Sequence, residues 1–424
     1  MRFGDYIPPF NEEWGDEPWG HPQILTRWRV LVDFDHQSDS MGRCFMARLA
    51  RVEVFASDEV AIVHVLNRTV RRCFLLGIDP VSGKNFDHRK QWMEYELQHL
   101  AKHFGIDLLC YAILSNHFHL VLRSRPDVVA AWDDSEVARR WMMLCPKRRD
   151  AQKVPQEPNE FELNMIRNDP VRLKEIRSRL SDISWWMRLL SQKIGKRANE
   201  DDKEVGKFWQ ARYRAVRLLD ETAILACAAY VDLNPIRAAM AETIESSEYT
   251  SAQQRAIALQ IEANAQTASD GDAGMVSKPI MQSLSPLTID ELKDEIGACC
   301  HTGGSRASDK GFLPMSVANY LELLDWTARE LRADKRGATP QSAAPIFERL
   351  GIDAEVWFEL TRDFGKLFAT VAGMPKVIES TRSRHRHQRY KIRNRAKELL
   401  TSFGTKRSAT KAKVINHKSS NGRS

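Results

Sequence analysis

Apolar and polar positions in the first third of the chain follow two different periods. Four elements are predicted before residue 125: a strand at 60–66, a helix at 87–105, and a hairpin of strands at 106–114 and 117–124. Gly105 directly follows the helical pattern and is expected to be its C-cap. The two residues between the hairpin strands, Ser115 and Asn116, are expected to form a tight turn.

The middle of the chain continues this mixture of helix and strand. Apolar residues spaced three and four apart predict one amphipathic helix over 171–195, and 208–219 is expected to be a strand. Asp220 can cap a following helix at 221–233, which Pro235 must end or kink. Strands interleaved with helices and containing a hairpin indicate an α+β sheet rather than a doubly wound parallel sheet.

A chain of 424 residues exceeds one ordinary domain, and its composition changes along its length. The predicted segments are an irregular N-terminal extension (1–47), a main domain (48–253), a linker rich in Ala, Ser, Gly and Asp (254–288), a helical C-terminal region (289–372) and a basic, partly disordered tail (373–424).

The net charge of +7 is unevenly distributed. From Lys376 to Ser424 there are 15 Lys/Arg and 2 Asp/Glu, which leaves 48 basic against 54 acidic residues in the rest of the chain. Concentrated positive charge suits a polyanionic partner such as nucleic acid. A solubilising tail is the alternative interpretation of the same pattern.

Several classes of protein are disfavoured by the sequence. No apolar stretch approaches the roughly 20 residues that a membrane span requires, so no membrane association is expected. The N-terminus lacks a basic region followed by an apolar one, as a secretory signal would have. Seven cysteines without CxxC spacing argue against a disulfide framework or structural zinc site and fit a reducing cytosol.

Two short patterns carry candidate chemistry. His117 and His119 are two apart on a predicted strand, so their side chains share one face and can grip one metal ion. Tyr230 and Asn234 are four apart, which puts them on one face of a helix. Taken separately, each pattern is more often a packing pair, a core tyrosine or a helix terminator.

Together, the two patterns fit cleavage of a phosphodiester bond. Such cleavage needs a nucleophile and a group that neutralises charge developing on phosphate, and a divalent ion supplies the second. Two imidazoles and one amide oxygen leave coordination positions open for water and substrate. Imidazole alone favours Zn²⁺, whereas amide, phosphate and water oxygens favour Mg²⁺ or Mn²⁺.

These residues also carry a resemblance to a known family. LLCYAILSNHFHLVL resembles the metal-binding "HUH" strand of single-tyrosine DNA transposases, and FWQARYRAVRLLDETAILACAAYVDLNPIRAAM resembles their second signature. The REP-associated tyrosine transposases, relatives of the insertion-sequence-200 type, are the most similar group. The resemblance covers roughly residues 48–253. Ser115 departs from the family, which commonly has proline there, and this should loosen the turn without affecting metal ligation.

The resemblance implies a ferredoxin-like antiparallel sheet flanked by helices, the HUH nuclease core. It implies that His117, His119 and Asn234 hold Mg²⁺ or Mn²⁺ and that Tyr230 attacks single-stranded or hairpin DNA. The product would be a 5′-phosphotyrosine and a free 3′-hydroxyl, which can rejoin strands during transposition. Such a protein is expected in the cytoplasm, associated with the nucleoid, as a monomer or as a homodimer with exchanged tyrosine helices.

Further contacts and competing functions remain open at this point. Arg212, Arg214 and Arg237 are candidates for phosphate contacts, with surface solvation as the alternative. Trp209 is a candidate for base stacking, although a role as a core anchor fits it as well. The competing functions are a domesticated DNA-binding protein without catalysis and a metal-dependent nuclease that uses water.

Overall fold

A five-stranded mixed sheet lies at the centre of the protein. The computed structural model describes residues 54–56, 58–152, 154–267, 279–290, 304–331, 343–384, 390 and 392–401. The strands are β1 (Ile62–Arg68), β2 (Ile106–Ile113), β3 (His117–Ser124), β4 (Arg214–Leu218) and β5 (Val371–Ala372). Their spatial order is β2-β3-β1-β4-β5, with every pair antiparallel except β4–β5.

Helices fill the connections between these strands and most of the chain after them. They are α1 (His88–His103), α2 (Pro126–Ala130), α3 (Asp134–Leu144), α4 (Glu160–Arg167), α5 (Pro170–Arg179), α6 (Ile183–Asp202), α7 (Glu221–Asp232), α8 (Asn234–Arg237), α9 (Ser251–Thr267), α10 (Pro279–Ser283), α11 (Val317–Leu331), α12 (Ala343–Leu350), α13 (Ala354–Leu367) and α14 (Pro375–Arg384). Residues 394–401 are also helical. A mixed sheet flanked by helices is consistent with the predicted α+β class.

Helices cover both faces of the sheet and make two separate cores. One face buries Val65 and Phe118 with residues of α1 and α6. The other buries Val121 and Val216 with residues of α7, α11 and α13, so the C-terminal helices share a core with α7. Because neighbouring strand residues point to opposite faces, each strand contributes to both cores.

The single helix predicted over 171–195 is wrong, because the structure has two helices there. The helix α5 ends at Arg179 and α6 begins at Ile183. The side chain of Asp182 accepts a hydrogen bond from the backbone N–H of Ser184 (2.6 Å) and thereby caps α6. The apolar spacing continues across the break, which is why periodicity alone does not reveal it.

Three smaller differences follow from tertiary contacts. Only Arg214–Leu218 of the predicted strand 208–219 belongs to the sheet. Residues 254–267, expected to begin a linker, belong to α9. Gly105 follows Phe104, which is the C-cap of α1, and a Cβ on Gly105 would lie 2.1 Å from the Val129 side chain. Close packing, rather than helix capping, therefore requires this glycine.

Other sequence predictions have different outcomes. The hairpin of β2 and β3, the Asp220 cap and the interruption of the helix at Pro235 are confirmed. The N-terminal extension (1–47), part of the linker (268–278) and the end of the basic tail (402–424) lie outside the described residues. In the ranges that the structure does describe, no helix is both long and apolar enough to cross a membrane.

Candidate active site

Three histidines lie together on one face of the sheet. Alternation along β3 puts His117 and His119 on that face, with ring centroids 5.1 Å apart. The neighbouring strand β1 contributes His64, whose Nε2 lies 2.8 Å from Nδ1 of His119. The rings of His64 and His119 stack with centroids 5.1 Å apart. His64 was not predicted as a site residue, because only the pairing of β1 with β3 brings it there.

Tyr230 reaches the same histidines from α7. The cap at Asp220, whose carboxylate accepts from the Ala223 N–H (2.9 Å), fixes where this helix begins. The helix packs on the histidine face of the sheet, and the Tyr230 ring lies 5.4 Å from the His119 ring and 5.9 Å from the His64 ring, between centroids. The tyrosine predicted from the helix pattern and a histidine predicted from the strand pattern therefore lie side by side within one chain.

Asn234 begins α8 directly after α7. It is only 7% exposed, and its side chain makes no hydrogen bond within the part of the chain that the structure describes. A buried amide normally finds a hydrogen-bond partner, so this one is free to bind a ligand. An amide oxygen is a common ligand of hard divalent cations.

The chemical state of the histidines also fits a metal site. Nδ1 of His117 lies 2.6 Å from Oδ1 of Asn116, and Nδ1 of His119 is hydrogen-bonded to His64. The Nε2 atom of each ring therefore stays available to bind a metal ion. Burial lowers the pKa of His117 to about 3 and holds the pKa of His119 well below its usual value. Neutral imidazoles are the form that binds metal.

The expected ligand set is two imidazoles and an amide, not a carboxylate or thiolate cluster. Among the described residues, no group of three or more His, Cys, Asp and Glu side chains has the arrangement of a metal site. Two imidazoles and one amide would leave an ion to take its remaining ligands from water and substrate.

Arginines make this face of the sheet electropositive. Burial, together with the charges of Arg214 and Arg237, lowers the pKa of His64 to about 3. Arg214 lies opposite Leu66 in the register of β1 and β4, on the face that carries His119. Two of the three arginines predicted to contact phosphate therefore lie beside the histidines.

Arg237 makes the closest contact with the candidate nucleophile. Its guanidinium carbon lies 4.0 Å from the centre of the Tyr230 ring, and it donates to the carbonyls of Tyr230 (2.9 Å) and Arg362 (3.0 Å). It has no carboxylate partner within the described ranges. Its charge is thus held in place by neutral groups and stays available to an anion.

The other two predicted DNA contacts lie on the opposite face of the sheet. Trp209 donates from Nε1 to the carbonyl of Ser191 (2.8 Å) and packs edge-on against Phe118 (centroids 5.3 Å apart). Arg212 is exposed in the loop before β4 and lines a cavity there with Trp209. Their roles in DNA binding remain predictions.

The C-terminal helix α13 packs against the tyrosine and the sheet histidine His64. The Phe364 ring lies 5.6 Å from the Tyr230 ring and 6.0 Å from the His64 ring, between centroids. A Cβ on Gly365 would lie 3.0 Å from the Tyr230 hydroxyl. Sequence reasoning missed both residues, since nothing in their local pattern distinguishes them from ordinary helix positions.

Comparisons with known proteins give one structural likeness. No protein-family model matches the chain, and no curated protein matches it either. A solved structure described as "Structure of the REP associates tyrosine transposase bound to a REP hairpin" aligns at 11% identity, covering 55% of this chain and 96% of the other, with a TM-score of 0.29. At that score the likeness decides nothing about function, which must be argued from the site.

Proposed function

We infer that the protein is a metal-dependent single-stranded DNA endonuclease and strand transferase of the single-tyrosine HUH class. The observation that carries this proposal is the approach of the Tyr230 ring to the ring of His119, which lies beside the ring of His117 on one face of the sheet. A phenol, two neutral imidazoles, an amide and two arginines form a set of groups suited to phosphodiester chemistry.

The topology supports the same class. The strands β2-β3-β1-β4 are mutually antiparallel, with helices in the β1–β2 and β3–β4 connections. This βαββαβ arrangement is that of a ferredoxin-like sheet, on which the HUH core is built. The two candidate ligand histidines lie on the interior strand β3, which is paired with a neighbouring strand on each side.

In the proposed reaction, the Tyr230 oxygen attacks a phosphorus of unpaired DNA. The new bond joins phosphorus to the tyrosine oxygen, and the bond from phosphorus to the 3′ oxygen breaks. The phenol loses its proton to solvent, and the leaving 3′ oxygen takes one up. A reversal by the same or another 3′-hydroxyl joins strands, so no external energy source is required.

His117, His119 and Asn234 would hold Mg²⁺ or Mn²⁺, which supplies charge neutralisation at a non-bridging phosphate oxygen. With Nε2 of His119 as the ligand, its Nδ1 would carry the proton and donate to Nε2 of His64, 2.8 Å away, which would hold the His119 ring in that orientation. Arg237 restrains the phenol and faces the incoming phosphate with an unneutralised charge.

The partner is proposed to be single-stranded or hairpin DNA, handled in the cytoplasm beside the nucleoid. Tyr230 lies next to His119 of its own chain. We therefore propose catalysis in cis, in which a homodimer is not required.

A covalent-adduct assay tests the proposal. The purified chain is incubated with labelled hairpin oligonucleotides and Mn²⁺, and products are separated on a denaturing protein gel. The chain should form a labelled adduct that EDTA prevents, whereas Tyr230→Phe should bind DNA without forming it. Cleavage without an adduct would favour a nuclease that uses water, and binding without cleavage would favour a domesticated DNA-binding protein.

A further inference from the structure

A cavity of about 430 Å³ lies on the sheet face opposite to the candidate active site. One face of α6, the loop before β4 and the end of β1 form its walls. The lining residues that matter here are Asn67, Met187, Arg188, Trp209, Arg212 and Tyr213. Its volume is within the usual range for small-ligand sites, roughly 300–1,000 Å³.

Asn67 gives the cavity an amide group that can recognise a ligand through hydrogen bonds. The residue is 5% exposed, and its Oδ1 accepts a hydrogen bond from the backbone N–H of Arg68 (3.0 Å). Its Nδ2 has no hydrogen-bond partner within the described residues. Since buried amides are nearly always paired, this side chain offers a donor and a remaining acceptor lone pair to whatever fills the cavity.

The aromatic walls are held in fixed orientations. The Trp209 ring is anchored through its bond to the Ser191 carbonyl, and the Tyr213 hydroxyl donates to Oγ of Ser184 (3.1 Å). Rings fixed in this way lose little entropy when a flat ligand packs against them. The cavity therefore favours a planar ring with polar edges.

The rim of the cavity is positively charged. Arg188 and Arg212 are exposed there, and the lining contains no carboxylate. Arg188 packs over the Trp185 ring (4.7 Å) and has no ion-pair partner in the described part of the chain. A planar polar ring would fit the aromatic walls of the cavity, and an anionic group would fit its basic rim. A nucleotide combines the two groups.

The cavity lies beside the end of β1 that is paired with His117. Asn67 points to the cavity face, and the next residue, Arg68, is paired with His117 on the other face. Strand spacing puts the two sites on the order of 10 Å apart. That is a span of a few nucleotides in a single strand.

We propose that the cavity binds one unpaired base of the DNA strand that is cleaved, a few nucleotides from the scissile phosphate. The Asn67 amide selects the base through its donor and acceptor, while Arg188 and Arg212 hold the adjoining phosphate. This inference rests on the proposed function for its choice of strand, and it adds a second binding site on the other face of the sheet.

Binding selection from a randomised single-stranded DNA library tests it without requiring catalysis. The full chain is used in EDTA, and bound oligonucleotides are sequenced. The chain should enrich one base at one position of the bound motif by about tenfold. Asn67→Leu should remove that preference, and so should Ala211→Trp, which fills the cavity from an exposed position without disturbing the core.

A matched pair of charge variants tests the rim. Arg188→Gln should weaken binding of the whole library, whereas Lys196→Gln, an exposed change on α6 outside the cavity, should bind as the unmodified chain does. The proposal is overturned when Asn67→Leu and Ala211→Trp both keep the original base preference. It is equally overturned when free deoxynucleoside monophosphates bind in an Asn67-dependent manner but the library shows no preferred base.

The outcome is independent of the proposed chemistry. An absent adduct in the Mn²⁺ assay would refute the nuclease function, while an Asn67-dependent base preference would still establish the cavity as a base-binding site. Conversely, adduct formation combined with an unchanged base preference in both cavity variants would support the nuclease function and refute the base-binding site.

Discussion

Replacing His64 tests whether the histidine cluster is built to hold a metal. In the proposed site, Nε2 of His119 binds the ion, so its Nδ1 carries the proton and donates to His64 at 2.8 Å. His64→Phe keeps a ring of similar size beside Phe364 but removes the acceptor. The metal-bound form would then contain a buried N–H without a partner, whereas the metal-free ring can change tautomer and avoid this penalty.

The size of the effect follows from that unpaired group. A buried donor left without a partner costs about 1–3 kcal/mol, and losing the partner of a ligating histidine typically weakens metal binding about 10–100-fold. The two ranges agree, because tenfold corresponds to about 1.4 kcal/mol. We therefore expect His64→Phe to weaken Mn²⁺ binding by one to two orders of magnitude. His64→Gln, whose amide oxygen can still accept, should lose less than about tenfold.

Two measurements check this expectation. Titration calorimetry of the full chain with Mn²⁺ gives the affinity directly, and the dependence of adduct formation on Mn²⁺ concentration should shift its midpoint while keeping its plateau. Circular dichroism melting excludes a general loss of folding. Equal Mn²⁺ affinity in His64→Phe and the unmodified chain would refute the orienting role of His64, as would equal losses in the Phe and Gln variants.

Two further predictions concern the tyrosine and the effect of pH. Gly365→Ala puts a Cβ 3.0 Å from the Tyr230 hydroxyl, so the phenol must move by a few tenths of an ångström. Adduct formation should therefore slow by up to about tenfold, while the affinity for DNA is unchanged. Burial lowers the pKa of His103 to about 2, so the neutral ring's contribution to stability is present above the unfolded-state pKa and is lost as pH falls towards 2. Between about pH 8 and pH 5 this loss is roughly 2 kcal/mol, and urea unfolding of His103→Phe should show a correspondingly smaller decrease.

Each of these predictions has a control within the chain. Gly195→Ala also changes a helical glycine, but its nearest contact would be an ordinary 3.4 Å, so adduct formation should be unaffected. An equal effect of both glycine variants would show that contact with the phenol is not the cause. For His103, the unfolding energies of the variant and the unmodified chain should differ in their pH dependence; parallel curves would contradict the burial argument.

Patterns confined to one element were predictable from the sequence. The spacing of His117 and His119 needs only the alternation of a strand, and the cap at Asp220 needs only the chemistry of a helix start. The strand of His117 and His119 and the helix of Tyr230 were therefore identified correctly, whereas Asn234, expected on the same helix face as Tyr230, begins the separate helix α8. The break before α6 was also recorded locally, in the capping residue Asp182, but the uninterrupted apolar spacing outweighed it.

Contacts between distant elements were not predictable in this way. His64 is one histidine in an apolar run, and it can be recognised as a candidate site residue only when the pairing of β1 with β3 is known. Phe364 and Gly365 belong to a helix that the sequence could not connect with the tyrosine at all. Such pairings depend on the sheet order and on packing of the whole chain, which no local period encodes.

The C-terminal helices restrict the proposed nucleophile, Tyr230. Tyr230 has the His119 ring on one side, Phe364 on another and the Arg237 guanidinium over its ring face, so few rotamers remain open to it. A nucleophile confined before substrate binds has less entropy to lose in reaching the attack geometry. Asn67 and Arg68, at the end of β1, direct their side chains to opposite faces of the sheet. A DNA strand that occupied both the proposed base site and the proposed nuclease site would have to cross this end of β1, and the choice of base would then be linked to the choice of phosphate.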